Sequence, residues 1–258
     1  MGVLAGRNGL VVGVANKRSL AWAIAKAADE AGARLTLSYA TERFEANARK
    51  LAETLSSPPQ LVACDVTDDA AVADLYRQVE EERGGLDFLV HGVAFASREA
   101  ISQPFLQTGR ADFAQALDIS AYSLVALARG AAPLMERRGG GSIVTLTYLG
   151  SERVFPHYNV MGVAKAALEA AVRYLAADLG PRNVRVNAVS AGPIKTLAAS
   201  GIPGFSRILQ HYRERAPLAR TVDAGEVADA ALFLLGPAGR AVTGEVLMVD
   251  GGYHATGM

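Results

Sequence analysis

Tyr158 and Lys165 stand seven residues apart in a stretch, 157–179, whose apolar spacing reads as a helix. At 100° per residue, seven steps fall about 20° short of two full turns, so both side chains share one face. A phenol and an ammonium on one face can do a definite kind of chemistry. The phenol donates a hydrogen bond to a substrate oxygen that is gaining negative charge, and the ammonium stabilises that charge as it develops.

Few other residues compete for a chemical role. The four histidines are dispersed without metal-ligand spacing, so no metal is expected. The single cysteine, Cys64, lies in an apolar strand-like run and is assigned no chemistry; one cysteine builds no disulfide within the chain, which fits a reducing compartment. Lys plus Arg and Asp plus Glu both total 26, with no block of like charge and so no footprint for nucleic acid. No stretch reaches the roughly 18 uncharged apolar residues of a membrane span. The apolar run from Gly9 to Ala15 is too short and too glycine-interrupted for a secretory leader. A soluble, cytoplasmic protein is expected.

The elements that must position the pair follow from periodicity. A chain of 258 residues, half of them hydrophobic, suits one large α/β domain spanning 1–258. Strands are expected at 9–15, 34–39, 60–64, 86–91, 142–147, 184–189 and 245–249. Most are too continuously apolar for a one-sided sheet, so burial on both faces is expected. Helices are expected at 19–31, 42–55, 68–83, 112–137, 157–179 and 223–235, the first with Ser19 as N-cap and Gly32 just past its end. This alternation implies a parallel sheet of about seven strands with right-handed crossovers, a single-domain, doubly wound Rossmann-type fold. One segment breaks the rhythm. Residues 192–216 follow the sixth strand at its carboxyl end, where open α/β sheets bind ligands, and are expected to cover a substrate. Within them 194–210 is expected to move as a lid, with Gly201 and Gly204 permitting backbone change and Leu197, Ile202 and Phe205 as an apolar underside.

Such a fold binds a dinucleotide where its first strand turns into its first helix. Here that turn is Gly13-Val14-Ala15-Asn16-Lys17-Arg18-Ser19. Gly13 permits close backbone approach, and a helix opening at Ser19 offers free N–H groups and partial positive charge to a pyrophosphate. The full glycine fingerprint is absent, since Lys17 and Ser19 stand where a common variant has glycines. Asp65, after the third strand, can bond an adenine amino group or simply serve the N-terminus of the next helix. His91-Gly92-Val93-Ala94 ends the fourth strand with small residues where a ribose can pass. Ala40 and Thr41 follow the second strand, with no Arg or Lys at either position to meet a 2′-phosphate, which favours NADH; Arg43 turned inward is the alternative. In this setting Lys165 can anchor the nicotinamide ribose.

Over essentially its whole length the chain resembles the short-chain dehydrogenase/reductase superfamily. That superfamily usually carries Tyr-x3-Lys with a Ser thirteen residues before the Tyr. Here the position four before Lys165 is Met161, and the position thirteen before Met161 is Tyr148. What remains, Tyr148…Tyr158-x6-Lys165, resembles the divergent branch, the enoyl-acyl-carrier-protein reductases. The strings Tyr148-Leu149-Gly150-Ser151-Glu152-Arg153, Tyr158-Asn159-Val160-Met161-Gly162, Ser190-Ala191-Gly192-Pro193-Ile194 and Thr196-Leu197-Ala198-Ala199-Ser200-Gly201 are similar to that family's own. Position 40 departs from it, being Ala where some relatives have a longer polar residue.

The resemblance implies an NADH-dependent reduction of trans-2-enoyl thioesters in fatty-acid elongation. It implies an acyl-carrier protein as substrate-bearing partner and a homotetramer. Tyr158, Lys165 and Tyr148 would form the catalytic group. The cofactor would meet Gly13, Ser19, Leu20 and Ala40, then Asp65, Val66 and Val93, then Ile194, Thr196, Ala198 and Lys165. The acyl chain would meet Phe95, Ala96, Tyr148, Tyr158, Met161, Ala198, Ile202 and Phe205. Two other functions share the scaffold: a carbonyl or 3-oxoacyl reductase, against which Met161 speaks, and a non-catalytic nucleotide-binding protein, against which the Tyr158/Lys165 pair speaks.

Overall fold

The structure is a computed structural model that describes residues 2–196 and 204–257. Seven strands form one parallel sheet: β1 (Asn8–Val12), β2 (Arg34–Tyr39), β3 (Gln60–Ala63), β4 (Phe88–His91), β5 (Gly141–Thr147), β6 (Val184–Ala191) and β7 (Val246–Val249). Their order is β3-β2-β1-β4-β5-β6-β7. The chain therefore winds outward from β1 in one direction, returns to β4 and winds outward in the other. The connections after β1 and β4 leave in opposite directions, and a crevice opens between the carboxyl ends of these two strands.

Burial on both faces follows from the two-residue period of a strand. In β1, Leu10 and Val12 enter the core beneath the Asp69–Arg83, Ser123–Glu136 and Val160–Leu179 helices, with Leu75, Leu127 and Leu168. Val11 enters the opposite core beneath the Leu20–Glu30 and Ala224–Leu235 helices, with Ile24 and Val227. The same switch divides Ile143 from Val144 in β5 and Ala188 from Val189 in β6. At ~25 cal/mol per Å² of buried apolar surface, two such layers are the main favourable term in folding. Among the described residues no helix is long and apolar enough to cross a membrane.

Helix ends are set by side chains. Ser19 accepts from the Trp22 N–H at 3.2 Å, Asp68 from Ala70 at 2.8 Å, and Asp223 forms a capping box with Glu226. Three expectations are corrected. The helix expected at 112–137 begins at Arg110 and is interrupted by a π-helical turn, Asp118–Tyr122, before resuming as Ser123–Glu136. The helix expected from 157 begins at Val160, because His157 and Asn159 take φ of 62° and 43° and cannot lie in a right-handed helix. The segment expected as a covering loop contains a helix, Phe205–Arg215, whose Phe205, Leu209 and Tyr212 share one face at i, i+4 and i+7. Residues 197–203, with Leu197, Ala198, Gly201 and Ile202, lie outside the described residues.

His91 ends β4 in a fully enclosed site, its ring nitrogens each 2.8 Å from a hydroxyl, Thr145 on one side and Ser123 on the other. Burial, reinforced by the charge of Lys165, pushes its pKa from 6.5 to about 3. The unfolded chain therefore binds a proton that the folded chain refuses, so stability contributed by the neutral ring is lost as pH falls below about 6.5 towards about 3. Urea unfolding across that window should show a steeper acid loss in wild type than in His91→Gln. Equal slopes would mean that this ring titrates alike in both states.

Candidate active site

The expected cofactor positions stand along one rim: Gly13 follows β1, Ala40 follows β2, Asp65 and Val66 follow β3, Val93 follows β4 and Ile194 follows β6. Gly13 has φ +95°, and a Cβ there would sit 2.5 Å from the Gly92 carbonyl oxygen. A Cβ on Gly92 would sit 2.7 Å from that of Ala21. The ends of β1 and β4 and the first turn of the Leu20–Glu30 helix are pressed together, with glycine backbone at the base of the crevice and a helix N-terminus beside it. That combination suits a pyrophosphate, so the residues present fit a dinucleotide. Ser19 spends its hydroxyl on the Asn16 carbonyl at 2.8 Å while capping the helix. Leu20, Val66, Val93 and Ile194 pack half-buried on the cores. Asp65 turns one carboxylate oxygen to the N–H and hydroxyl of Thr67, at 2.9 and 2.7 Å. The following helix is capped by Asp68, which removes that role from Asp65. Ala40 and Thr41 are exposed, and the Arg43 guanidinium lies 6.0 Å from the Phe44 ring centroid. The Thr196 N–H donates to the Ile194 carbonyl at 2.7 Å.

The catalytic candidates gather at the end of β5. Tyr148 follows the strand in extended conformation, and the chain then turns through Leu149–Ser151. The rings of Tyr148 and Tyr158 meet edge to face with centroids 5.0 Å apart. Gly150 seats both: a Cβ there would lie 2.4 Å from Tyr158 Cδ1 and 3.0 Å from Tyr148 Cδ1. A Cβ on Gly162 would in turn strike the Gly150 carbonyl at 2.6 Å, so the helix carrying Lys165 is drawn against this turn. Tyr158 thus reaches the site from the turn before the helix, not from the helix face the spacing implied. Lys165, buried, donates from Nζ to the Leu146 carbonyl at 2.8 Å.

Electrostatics fix the protonation states. Burial raises the Tyr158 phenol well above its usual pKa, helped by Tyr148 and the Glu169 charge. Burial likewise raises Tyr148, helped by Tyr212. Both are neutral donors at physiological pH. Burial brings Lys165 down to about 8, against the pull of Glu169 one helical turn away. Glu169 is buried and accepts from the Thr147 hydroxyl at 2.5 Å.

The apolar candidates divide. Met161 is buried, with its sulfur 3.9 Å from the Ser120 hydroxyl, which also bonds both main-chain groups of Phe95. The π-turn carrying Ser120 thereby links Phe95, itself 46% exposed, to Met161. Ala96 packs with Ala100, Ala116 and Val160. Phe205 is half-buried on the helix whose Tyr212 phenol donates to that of Tyr148 at 3.4 Å. Ala198 and Ile202 fall outside the described residues. Sequence reasoning missed Tyr212, Tyr253, stacked on it at 3.8 Å, and Phe155, 4.9 Å from Tyr148. The spacing Phe205-x3-Leu209-x2-Tyr212 was the available signal for the first; Tyr253 opens a 3₁₀ turn after β7 and Phe155 lies in the irregular stretch between Tyr148 and Tyr158, and neither carried a periodic signal. Among the described residues no three His, Cys, Asp or Glu are grouped to hold a metal ion.

Residues 13–254 match the family model described as enoyl-(acyl carrier protein) reductase. The chain belongs to that family. It is 52% identical to the enoyl-[acyl-carrier-protein] reductase [NADH] FabI of Bacillus subtilis strain 168, covering 98% of each chain. It is 47% identical to the FabI of Aquifex aeolicus strain VF5, over 100% of this chain and 95% of that one. Among solved structures it resembles the enoyl-acyl carrier protein reductase of Bacillus cereus with NADP+ and indole naphthyridinone. That likeness has a TM-score of 0.97 and 49% identity, over 100% of both chains. It also resembles the reductase of Anaplasma phagocytophilum in complex with NAD, at TM-score 0.95 and 47% identity, over 100% of this chain and 97% of that one. In a reductase of this family the packing around Gly150 has a direct consequence. Gly150→Ala places a methyl group inside the Tyr158 ring, and overpacking of this kind costs about 1–3 kcal/mol. Denaturant unfolding should register that loss together with slower turnover; wild-type values for both would show that the ring shifts freely.

Proposed function

We propose that this reductase transfers hydride from NADH to the β-carbon of a trans-2-enoyl thioester, with Tyr158, Lys165 and Tyr148 as its catalytic group. The observation that carries this reading is the pairing of two neutral phenols, 5.0 Å apart between ring centres, at the carboxyl end of β5, with a buried lysine anchored to the Leu146 carbonyl of the same strand end. NADH, when bound, supplies the hydride. The protein supplies alignment and charge stabilisation. As negative charge collects on the thioester oxygen, Tyr158 donates a hydrogen bond to it, which strengthens in the transition state. Its raised pKa keeps the proton on the phenol, ready to be shared with the enolate oxygen.

Lys165 is held by the Leu146 carbonyl through one of three donors, so an ammonium has others to offer ribose hydroxyls. Tyr148, braced by Tyr212, lines the thioester end of the pocket. Phe95, Ala96, Met161 and Phe205 enclose the acyl chain, and residues 192–196 and the Phe205–Arg215 helix cover it and limit water near the enolate. Gly13 and the neighbouring helix N-terminus take the pyrophosphate, Asp65 the adenine, and Ala40 and Thr41 the ribose 2′-hydroxyl, without a cation for a 2′-phosphate. The substrate arrives on an acyl-carrier protein, and the enzyme works in the cytoplasm as a homotetramer; the relatives' names support the carrier, the family resemblance the homotetramer, and the lone cysteine a reducing compartment.

Met161, a residue with no proton to donate, occupies the usual tyrosine position of carbonyl reductases, and this favours enoyl over 3-oxoacyl substrates. Crotonyl and acetoacetyl thioesters, each offered with NADH, separate the two. Rapid oxidation of NADH by the first and little by the second is expected; the reverse preference overturns the reading. Tyr158→Phe should lower kcat on the crotonyl thioester by roughly 100-fold, leaving NADH affinity unchanged. Wild-type turnover in that variant would remove the phenol from the reaction.

Burial lowers the pKa of Lys165 to about 8, so the ammonium persists below that pH and is lost as pH rises through it. NADH affinity, followed by fluorescence titration, should accordingly weaken on the alkaline side, and Lys165→Ala should be weak at every pH. An affinity independent of both pH and the substitution would end the ribose-anchoring role.

A further inference from the structure

Tyr158 is flanked by two non-glycine residues with positive φ, His157 at 62° and Asn159 at 43°. Asn159 has ψ −122°, a backbone region that glycine enters easily and that other residues hold only when their surroundings fix them. The surroundings here are specific. The Asn159 side-chain amide donates to the Gln103 carbonyl at 2.7 Å and to the Ala100 carbonyl at 3.2 Å. Both carbonyls lie at the carboxyl end of the short Arg98–Ser102 helix, where main-chain acceptors lack partners within the helix. The main chain of Asn159 accepts from the Gly162 N–H at 2.9 Å, while the Tyr158 carbonyl accepts from Met161 at 3.0 Å. One side chain thus joins the turn presenting Tyr158, the start of the Lys165 helix and the segment that continues from Phe95 and Ala96.

We propose that Asn159 is a positioning residue for the reduction. Its amide clamps the Tyr158 turn to the 98–103 segment, so that the phenol and the wall of the acyl pocket keep a fixed separation. This rests on the reading of Tyr158 as the hydrogen-bond donor. Glycine could hold the backbone conformation with less strain but could not form the clamp. Asparagine at this position is therefore explained by its two donors rather than by its φ. Lys165 lies on the helix beyond the clamp and keeps its own anchor at Leu146, so cofactor binding does not depend on Asn159.

Asn159→Ala and Asn159→Gly test this in the full-length enzyme, with NADH and a crotonyl thioester. Both variants should lose about tenfold or more in kcat, since small misplacements of a reacting group have effects of that order. NADH affinity by fluorescence titration should stay near wild type in both. The double variant Tyr158→Phe/Asn159→Gly should be no slower than Tyr158→Phe alone, because the clamp acts only through the phenol. Wild-type kcat in Asn159→Gly would overturn the clamp and leave only a backbone preference. A parallel loss of NADH affinity and kcat would overturn it as well, by showing a general structural role. Multiplicative losses in the double variant would do the same. If Tyr158→Phe itself turned over normally, the reading of Tyr158 would fall first and the clamp with it, a result distinct from slow Tyr158→Phe beside normal Asn159→Gly.

Discussion

The Lys165 ammonium sits inside the protein and gives one hydrogen bond to the Leu146 main-chain carbonyl. A charge in that position is expensive to bury, and the cost is met by neighbours of opposite sign or dipole. Leu146 supplies the dipole, and Glu169, one turn along the same helix, supplies the charge. Glu169 is itself buried and is satisfied by Thr147 from the same strand. The Val160–Leu179 helix is therefore fastened to the end of β5 at two successive turns. Everything placed by that helix and that strand end, including Tyr148 one residue after the strand, inherits its position from this junction.

The turn between strand and helix has to bring a second phenol to the same place. It does so with small residues and unusual backbone. Gly150 and Gly162 remove the atoms that would keep the Tyr158 ring and the helix apart. His157 and Asn159 reverse the chain in conformations outside the helical range. Tyr148 is held from its other side by Phe155 and by Tyr212, itself stacked on Tyr253. The phenols are consequently desolvated and remain protonated, the state that a hydrogen-bond donor to an oxyanion needs. Desolvation also lowers the lysine, so one environment sets both phenols and the ammonium.

The opposite rim of the sheet carries the restraints that the site does without. Asp87 precedes β4 and is buried; burial opposes its charge, but the Asn8 N–H, Arg7 and Arg138 hold its pKa below the ordinary value. A satisfied carboxylate there locks β1 to β4 at their amino ends. Their carboxyl ends meet through glycine backbone instead, which leaves room for a ligand. The division matches the general behaviour of open parallel sheets, in which one rim stabilises and the other binds.

The amino-acid sequence by itself determined the seven-strand parallel architecture, the two buried faces and the Ser19 helix cap, and it singled out Tyr158, Lys165 and Tyr148 as the candidates for chemistry. These are local or periodic signals. A strand buried on both faces announces itself through continuous β-branched residues, Ser19 and Asp223 stand at their helix ends, and the flanking strings are contiguous in the chain. Tertiary structure alone decided how Tyr158 reaches the site, since positive φ at Asn159 is stabilised by contacts with residues about sixty positions away and leaves no periodic trace. It alone brought Tyr212 and Tyr253 to Tyr148 and placed Ser120 on a π-turn between Phe95 and Met161. The Phe205–Arg215 helix did carry a periodic signal in Phe205, Leu209 and Tyr212, but its placement against Tyr148 did not. Side chains that meet only after the sheet has closed are selected by packing, and packing is a property of the folded chain.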